Sequence, residues 1–256
     1  MPIACHPMAT IILEHLPSRG AGLLGDVLRE FGHTLKHVRV CDGHSLPVDL
    51  DHVTGIVSLG GPQTSMDDEA NPWMKQERSL LLEAHRRGVP ILGICLGSQL
   101  LAQALGGRVE RMPGLTQMGY HPIDLTPAGR EDPLLAGIGW TSLQFEFHQD
   151  HVVELPAEAQ LLATNVESHI QAWVAGTSSY GFQFHPEFDW QLIEEAADRS
   201  DREFKEAGIT KARFLEQLKP QYPEARRLAR RIFESVALCL MPVDRASSGL
   251  VRDLHH

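Results

Sequence analysis

Pro90-Ile-Leu-Gly-Ile-Cys-Leu-Gly-Ser-Gln-Leu-Leu-Ala-Gln-Ala-Leu-Gly-Gly107 reads as a strand, a sharp turn that holds a cysteine, and a helix. Pro90 to Ile94 is short and apolar, as a buried parallel strand should be. From Ser98 onward Leu100, Leu101, Ala104 and Leu105 fall on one helical stripe, which Gly106-Gly107 brings to a stop. Between the two elements, Gly93-Ile94-Cys95-Leu96-Gly97 has the Gly-x-nucleophile-x-Gly form, with cysteine where serine hydrolases carry serine. The flanking glycines let the strand turn into the helix with the central side chain standing clear at the strand's carboxyl end. The helix amino terminus favours negative charge there, and the Leu96 N–H points towards any oxyanion formed at that place. An isolated cysteine is most often an inert buried thiol. Cys95 therefore needs partners.

Two stretches supply candidates. Upstream, the apolar run Gly55 to Leu59 reads as a strand entering Gly60-Gly61-Pro62, whose glycines bring backbone N–H groups close to a ligand; in a parallel sheet this loop shares the rim of Cys95. Downstream, Gly181-Phe-Gln-Phe-His-Pro-Glu187 ends an apolar strand at His185, with Glu187 two residues on and able to hydrogen-bond the imidazole. Together these complete a cysteine, a base, and an acid that holds the base's tautomer. With 14 histidines in the chain, His185 alone would read as a surface residue; the acid beside it makes it a candidate. The competing cluster is His148-Gln149-Asp150-His151. On an extended chain His148 and His151 point to opposite faces, so a shared metal would need a break in the strand, and no metal site is expected.

The rest of the chain frames these blocks. Thr10 to His15, Thr34 to Val40 and Gly55 to Leu59 read as strands, Gly20 to Phe31 and Pro72 to Arg87 as helices, the latter buried through Trp73, Gln76, Leu80, Leu81 and Ala84. Strand patterns follow at Arg108 to Met112, Tyr120 to Leu125, Leu143 to Val153, Gln160 to Thr164, Ile170 to Val174 and Tyr180 to Phe184, with a turn-rich Pro127 to Gly139 between. The chain thus opens as βαβα and then turns mostly to strands. After Trp190, Ile193 to Ala207 and Pro223 to Leu240 read as charged helices, and the residues after Met241 as a loose tail. Gly20-Ala-Gly-Leu-Leu-Gly25, with Asp42 behind it, matches a dinucleotide fingerprint in letters. Leu16-Pro17-Ser18-Arg19 separates it from the strand it should follow directly, so no nucleotide site is expected.

Composition narrows the function. A 43% hydrophobic content over 256 residues is ample for a packed core. A net charge of −10 argues against a nucleic acid or an anionic membrane as partner, and in favour of a small polar substrate or a protein. No run of about 18 apolar residues and no signal-peptide layout is present, so a cytoplasmic protein is expected. Cys5, Cys41, Cys95 and Cys239 are widely spaced without a Cys-x-x-Cys pair, which reads as reduced thiols without disulfides or structural zinc.

Set together, Leu59-Gly60-Gly61-Pro62, Gly93-Ile-Cys95-Leu-Gly97-Ser-Gln99 and Gln183-Phe-His185-Pro-Glu187 resemble a class I glutamine amidotransferase domain in content, order and spacing, over residues 10–190. The resemblance implies an α/β fold of flavodoxin-like type, a mostly parallel central sheet flanked by helices with a smaller antiparallel portion. It implies Cys95 as nucleophile, His185 as base and acid, Glu187 as orienter, Gly61 and Leu96 as oxyanion donors, and no cofactor. It places Gly60 and Gln99 against the glutamyl end of the substrate, and Phe147-His148-Gln149-Asp150 along the same pocket through its backbone. Residues 1–190 would be the catalytic domain and residues 191–256 a helical extension packed on it, ending in the tail. Those residues 191–256 do not resemble an ATP-dependent synthetase. The expectation is either a separate ammonia-accepting synthetase subunit or a chain acting alone, as in stand-alone members that resemble GMP synthase and include γ-glutamyl peptidases.

Overall fold

A computed structural model of the chain describes residues 8–17 and 20–243. Cys5, Ser18, Arg19 and nearly all of the proposed tail lie outside the described residues. The first half mixes strands and helices as expected: β1 (Ala9–Glu14), α1 (Gly22–Glu30), β2 (Leu35–Arg39), β3 (Val53–Ser58), α2 (Trp73–Arg86), β4 (Ile91–Ile94) and α3 (Leu96–Ala104). Then come β5 (Arg108–Arg111), β6 (Gln117–Leu125), α4 (Pro127–Glu131), β7 (Thr141–His148), β8 (Asp150–Glu154), β9 (Ala159–Thr164), β10 (Ala172–Ala175) and β11 (Ser179–Phe182). Four α-helices follow, α5 (Trp190–Asp198), α6 (Asp201–Ala207), α7 (Lys211–Leu218) and α8 (Tyr222–Ser235), the last running into a π-helical turn at Val236–Leu240.

Nine strands form one mixed sheet in the order β2-β1-β3-β4-β11-β10-β9-β6-β7. The first five are parallel to one another, and every pairing from β11 to β7 is antiparallel. The fold class read from the sequence holds, with the antiparallel part continuous with the parallel one. The central strands are apolar on both faces because both are covered. Ile12, Val57, Leu92 and Phe182 bury towards Leu24 and Leu28 of α1 and Ile232 and Phe233 of α8. Ile11, Ile56 and Ile91 bury towards Met74 and Leu81 of α2 and Leu100 and Leu101 of α3. Each such side chain removed from water contributes about 1.5 to 3 kcal/mol. No helix among the described residues is long and apolar enough to cross a membrane.

Several boundaries differ from the sequence reading, each for a local reason. Leu143 to Val153 is two strands: the chain breaks at Gln149, β7 stays with β6, and β8 leaves the sheet to pair with β5. Ile193 to Ala207 is two helices split at Arg199-Ser200, where the Ser200 hydroxyl donates to the Ala196 carbonyl at 2.6 Å. Thr126 caps α4 inside the turn-rich stretch, accepting from Gly129 N–H at 3.0 Å with Pro127 at the first position. Thr210 does the same for α7, whose helical pattern the sequence reading passed over. On α2 the buried face is Met74, Glu77, Leu81 and Ala84, with Gln76 exposed. A glutamate at a core position hides the true stripe from hydrophobic periodicity. On α3 the first two turns are buried all round, while Ala104 and Leu105 are half-buried.

Candidate active site

Strand order brings the three motif blocks together. β4 lies between β3 and β11, all parallel, with Gly93 level with Ser58 on one side and Gly181 on the other. Leu59-Gly60-Gly61, Cys95 and His185 therefore leave three neighbouring strands at the same carboxyl edge, although they are far apart in sequence.

Cys95 is the residue between β4 and α3, and its backbone is held at φ 52 and ψ −109. Cys95 and His52 are the only non-glycine residues with positive φ among the described residues. Such strain costs about 1 to 3 kcal/mol and persists only where the surroundings enforce it. Here they do: Cys95 N–H donates to the Phe182 carbonyl at 2.7 Å, and Gly97 N–H to the Leu59 carbonyl at 3.1 Å. A Cβ at Gly97 would lie 2.0 Å from the Ser58 carbonyl oxygen, and one at Gly93 2.6 Å from the Gly97 carbonyl oxygen. No larger residue fits either flank of the elbow.

His185 and Cys95 lie side by side against Gly60 at the rim of one cavity, and His185 Nδ1 donates to Glu187 Oε1 at 2.8 Å. Its N–H donates to the Phe145 carbonyl at 2.7 Å and its ring lies 4.5 Å from that of Phe188, so the imidazole is fixed and buried. Burial by itself would depress its basicity. The Glu187 carboxylate and then the Cys95 sulfur outweigh burial and hold His185 well above its ordinary value, favouring an imidazolium beside the sulfur.

Gly60 is pressed onto this pair: a Cβ there would come within 2.7 Å of His185 Cε1 and 3.5 Å of Cys95 Cβ. A Cβ on Gly61 would meet Leu96 Cδ2 at 2.9 Å. Leu96 opens α3, where helix geometry leaves the N–H outside the intrahelical ladder. A cavity of about 400 Å³ opens over these residues, and Gln99, His148, Gln149 and Asp150 line it as well. Gln99 Nε2 donates to the Asp150 carbonyl at 2.8 Å, and the Gln149 carbonyl accepts from Met112 N–H at 2.7 Å. The His148 ring is closed on both sides, by Glu146 Oε2 at 2.7 Å and the Asp150 carbonyl at 3.1 Å. The strand does break at Gln149, yet His151 turns to Ser168 at 3.0 Å, and no group of three metal-ligating side chains is found among the described residues.

The glycine-rich segment that opens α1 has a different task from the one its letters suggest. A Cβ at Gly22 would lie 2.3 Å from the Glu187 carbonyl oxygen, and Leu23 N–H donates to that same oxygen at 3.1 Å. The amino terminus of α1 thus seats the loop carrying Glu187. Sequence reasoning missed Phe188, one residue past the quoted motif, and the cavity wall from Arg199, Arg202 and Glu203. Arg202 and Glu203 sit on the charged helix α6 and Arg199 at the break before it, in a pattern that does not distinguish a pocket wall from a solvated face. It also missed His15, which lines the cavity behind Gly61.

The model for class-I glutamine amidotransferases matches residues 22–196. The chain belongs to the class-I glutamine amidotransferase family. The glutamine amidotransferase-like protein YfeJ of Salmonella typhimurium is 33% identical over 200 residues, 77% of this chain and 82% of that protein. One subunit of the glutamine-hydrolyzing GMP synthase of Saccharolobus solfataricus is 30% identical over 162 residues, 63% of this chain and 81% of that one. Gamma-glutamyl peptidase 3 of Arabidopsis thaliana is 28% identical over 156 residues, 59% and 61% of the two chains. Among solved structures, a glutamine amidotransferase from Methylobacillus flagellatus superposes with a TM-score of 0.80 at 25% identity, covering 90% of this chain and 94% of that one.

Proposed function

We propose that this amidotransferase family member is a thiol hydrolase of γ-glutamyl amides, glutamine or a γ-glutamyl peptide, working through a thioester on Cys95. The observation that carries the reading is the His185–Glu187 hydrogen bond at the strand edge, with Cys95 beside it and all three residues lining one cavity. The Cys95 thiolate attacks the γ-carbonyl carbon, the C–S bond forms, and the carbonyl electron pair moves to oxygen. The N–H groups of Gly61 and Leu96 hold that oxyanion, each donor lowering the barrier by about 3 to 4 kcal/mol. Collapse of the intermediate breaks the C–N bond, and the departing amine takes the proton from His185. The now neutral imidazole removes a proton from water as its oxygen attacks the thioester. The C–S bond breaks, glutamate leaves, and the thiolate and imidazolium are restored. Glu187 keeps the Nδ1 proton in place so that the other ring nitrogen faces sulfur and amine. Gly60, Gln99, His148, Gln149 and Asp150 form the wall against the glutamyl moiety.

A second reading, ammonia delivered to a separate synthetase subunit, is favoured by the likeness to one subunit of a GMP synthase. One experiment addresses both. The purified chain is assayed on glutamine, γ-glutamyl dipeptides and glutathione-like amides beside Cys95→Ala. Hydrolysis by the wild type, abolished in a folded Cys95→Ala, is expected; unchanged hydrolysis in that variant ends the proposal. Preference for peptides supports a free-standing peptidase, and preference for glutamine supports an acceptor partner.

A further inference from the structure

Directly behind the Gly60-Gly61 loop lies a buried histidine–glutamate pair that the chemistry above leaves unused. His15, the residue after β1, places Nδ1 2.8 Å from the Leu59 carbonyl oxygen and Nε2 2.9 Å from Glu77 Oε2. Ser58 Oγ donates to Glu77 Oε1 at 2.6 Å. Both side chains are fully excluded from solvent, and the imidazole stacks on Trp73 with ring centroids 5.0 Å apart and planes within 9°.

A buried ion pair is costly and rarely the cheapest way to fill a core. Its hydrogen bonds show what it holds. A carbonyl only accepts, so Nδ1 carries a proton; the Glu77 contact needs another in the Nε2–Oε2 bridge. The pair is neutral as a whole and presents one fixed donor to Leu59. That carbonyl oxygen is also the acceptor for Gly97 N–H at 3.1 Å, so it joins the glycine loop to the Cys95 elbow. The peptide plane containing the Leu59 carbonyl contains the Gly60 N–H, and the next plane carries the Gly61 N–H. The far side of the loop is tied to the same residue. Gln63 Nε2 donates to the His15 carbonyl at 2.8 Å, and a Cβ at Gly61 would meet His15 Cβ at 2.7 Å.

We propose that His15, held by Glu77 and Ser58, is a positioning residue that sets the direction of the Gly61 N–H towards the oxyanion. This rests on the thiol hydrolase reading. The test compares two near-isosteres in the full chain, with γ-glutamyl p-nitroanilide and glutamine as substrates. Asparagine sets its amide nitrogen near the place of Nδ1 and keeps the donor to Leu59. Glutamine sets it near Nε2 and keeps only the Glu77 contact. Both lose the stack on Trp73, so a merely structural role predicts equal effects.

His15→Gln is expected to lower kcat about 100-fold with KM within about threefold, the scale of one lost oxyanion donor. His15→Asn should stay within about tenfold of wild type in kcat. Alkylation of Cys95 by iodoacetamide, which forms no oxyanion, should proceed at the wild-type rate in both. Equal losses in the two variants, or wild-type kcat in His15→Gln, overturn the proposal. If His15→Gln does not fold by circular dichroism, Ser58→Ala decides. It should lower kcat about fivefold at unchanged KM, and wild-type kcat there overturns the proposal. A wild-type chain that hydrolyses no γ-glutamyl amide while Cys95 still alkylates defeats the hydrolase reading together with this one. An active wild type beside an equally active His15→Gln defeats this one alone.

Discussion

His185 with Glu187 and His148 with Glu146 are one device in two settings. Each pairs a buried imidazole with a carboxylate two residues away, at 2.8 and 2.7 Å. Beside His185 lies Cys95, whose sulfur adds to Glu187 in holding the imidazole's basicity up. Around His148 the remaining ring contact is the Asp150 carbonyl, and Glu146 also accepts from Asn165 at 2.7 Å and Gln171 at 3.3 Å. On the proposed chemistry one ring has a mobile partner for its proton, while the other is closed. On that reading the neighbour of the second nitrogen, more than the carboxylate, separates a reactive histidine from a structural one.

Variants at the two pairs break or sharpen this contrast. The largest effect is expected for His185→Ala: kcat on a γ-glutamyl amide should fall about 10⁴-fold with the fold intact, and a loss under about tenfold would remove His185 from proton transfer.

Glu187→Gln comes next, with kcat down about 100-fold and a change in its pH profile. His185 is held well above its ordinary value of 6.5, so the wild-type imidazolium persists as pH rises past that point, and the alkaline limb of activity lies above it. Removing the carboxylate leaves burial, which acts in the opposite direction, less opposed. The alkaline limb should therefore move to lower pH. A limb that stays in place in kcat/KM measurements would show that Glu187 does not set the charge on His185.

Gly22→Ala should cost about tenfold in kcat, because the added Cβ displaces the Glu187 carbonyl from its seat on α1. The wild-type chain should show no saturable NAD binding by calorimetry, and binding would revive the fingerprint as a nucleotide site.

Glu146→Gln should change kcat least, within about threefold, while lowering stability by about 1 to 3 kcal/mol because an amide NH₂ then faces other donors. Denaturant melts read the stability. A collapse in kcat comparable to that of Glu187→Gln would erase the distinction between the pairs.

Much of this was legible in the letters. The run Pro90 to Gly107 gives strand, elbow and helix because apolar periodicity, paired glycines and a helix stop act over a few residues. Phe184-His185-Pro186-Glu187 places an acid within reach of a histidine for the same local reason. Glu77 was illegible: nothing near it on α2 signals that its carboxylate is buried, since its partners His15 and Ser58 come from two strands earlier in the chain. The split between β7 and β8 was hidden as well, because an alternating pattern does not say which strand will be its partner.

By itself, the sequence determined the local pieces: the elbow around Cys95, the glycine loop at Gly60-Gly61, the His185–Glu187 pair, and the α/β class that repeated strand–helix patterns imply. Only the tertiary structure decided that β11 lies beside β4, that Gly22 seats the Glu187 loop, and that His15 and Glu77 stand behind Gly61. Local periodicity follows from the geometry of a few consecutive bonds. Strand order and the burial of an ion pair follow from packing between segments distant in sequence, where one side chain's place depends on all the others.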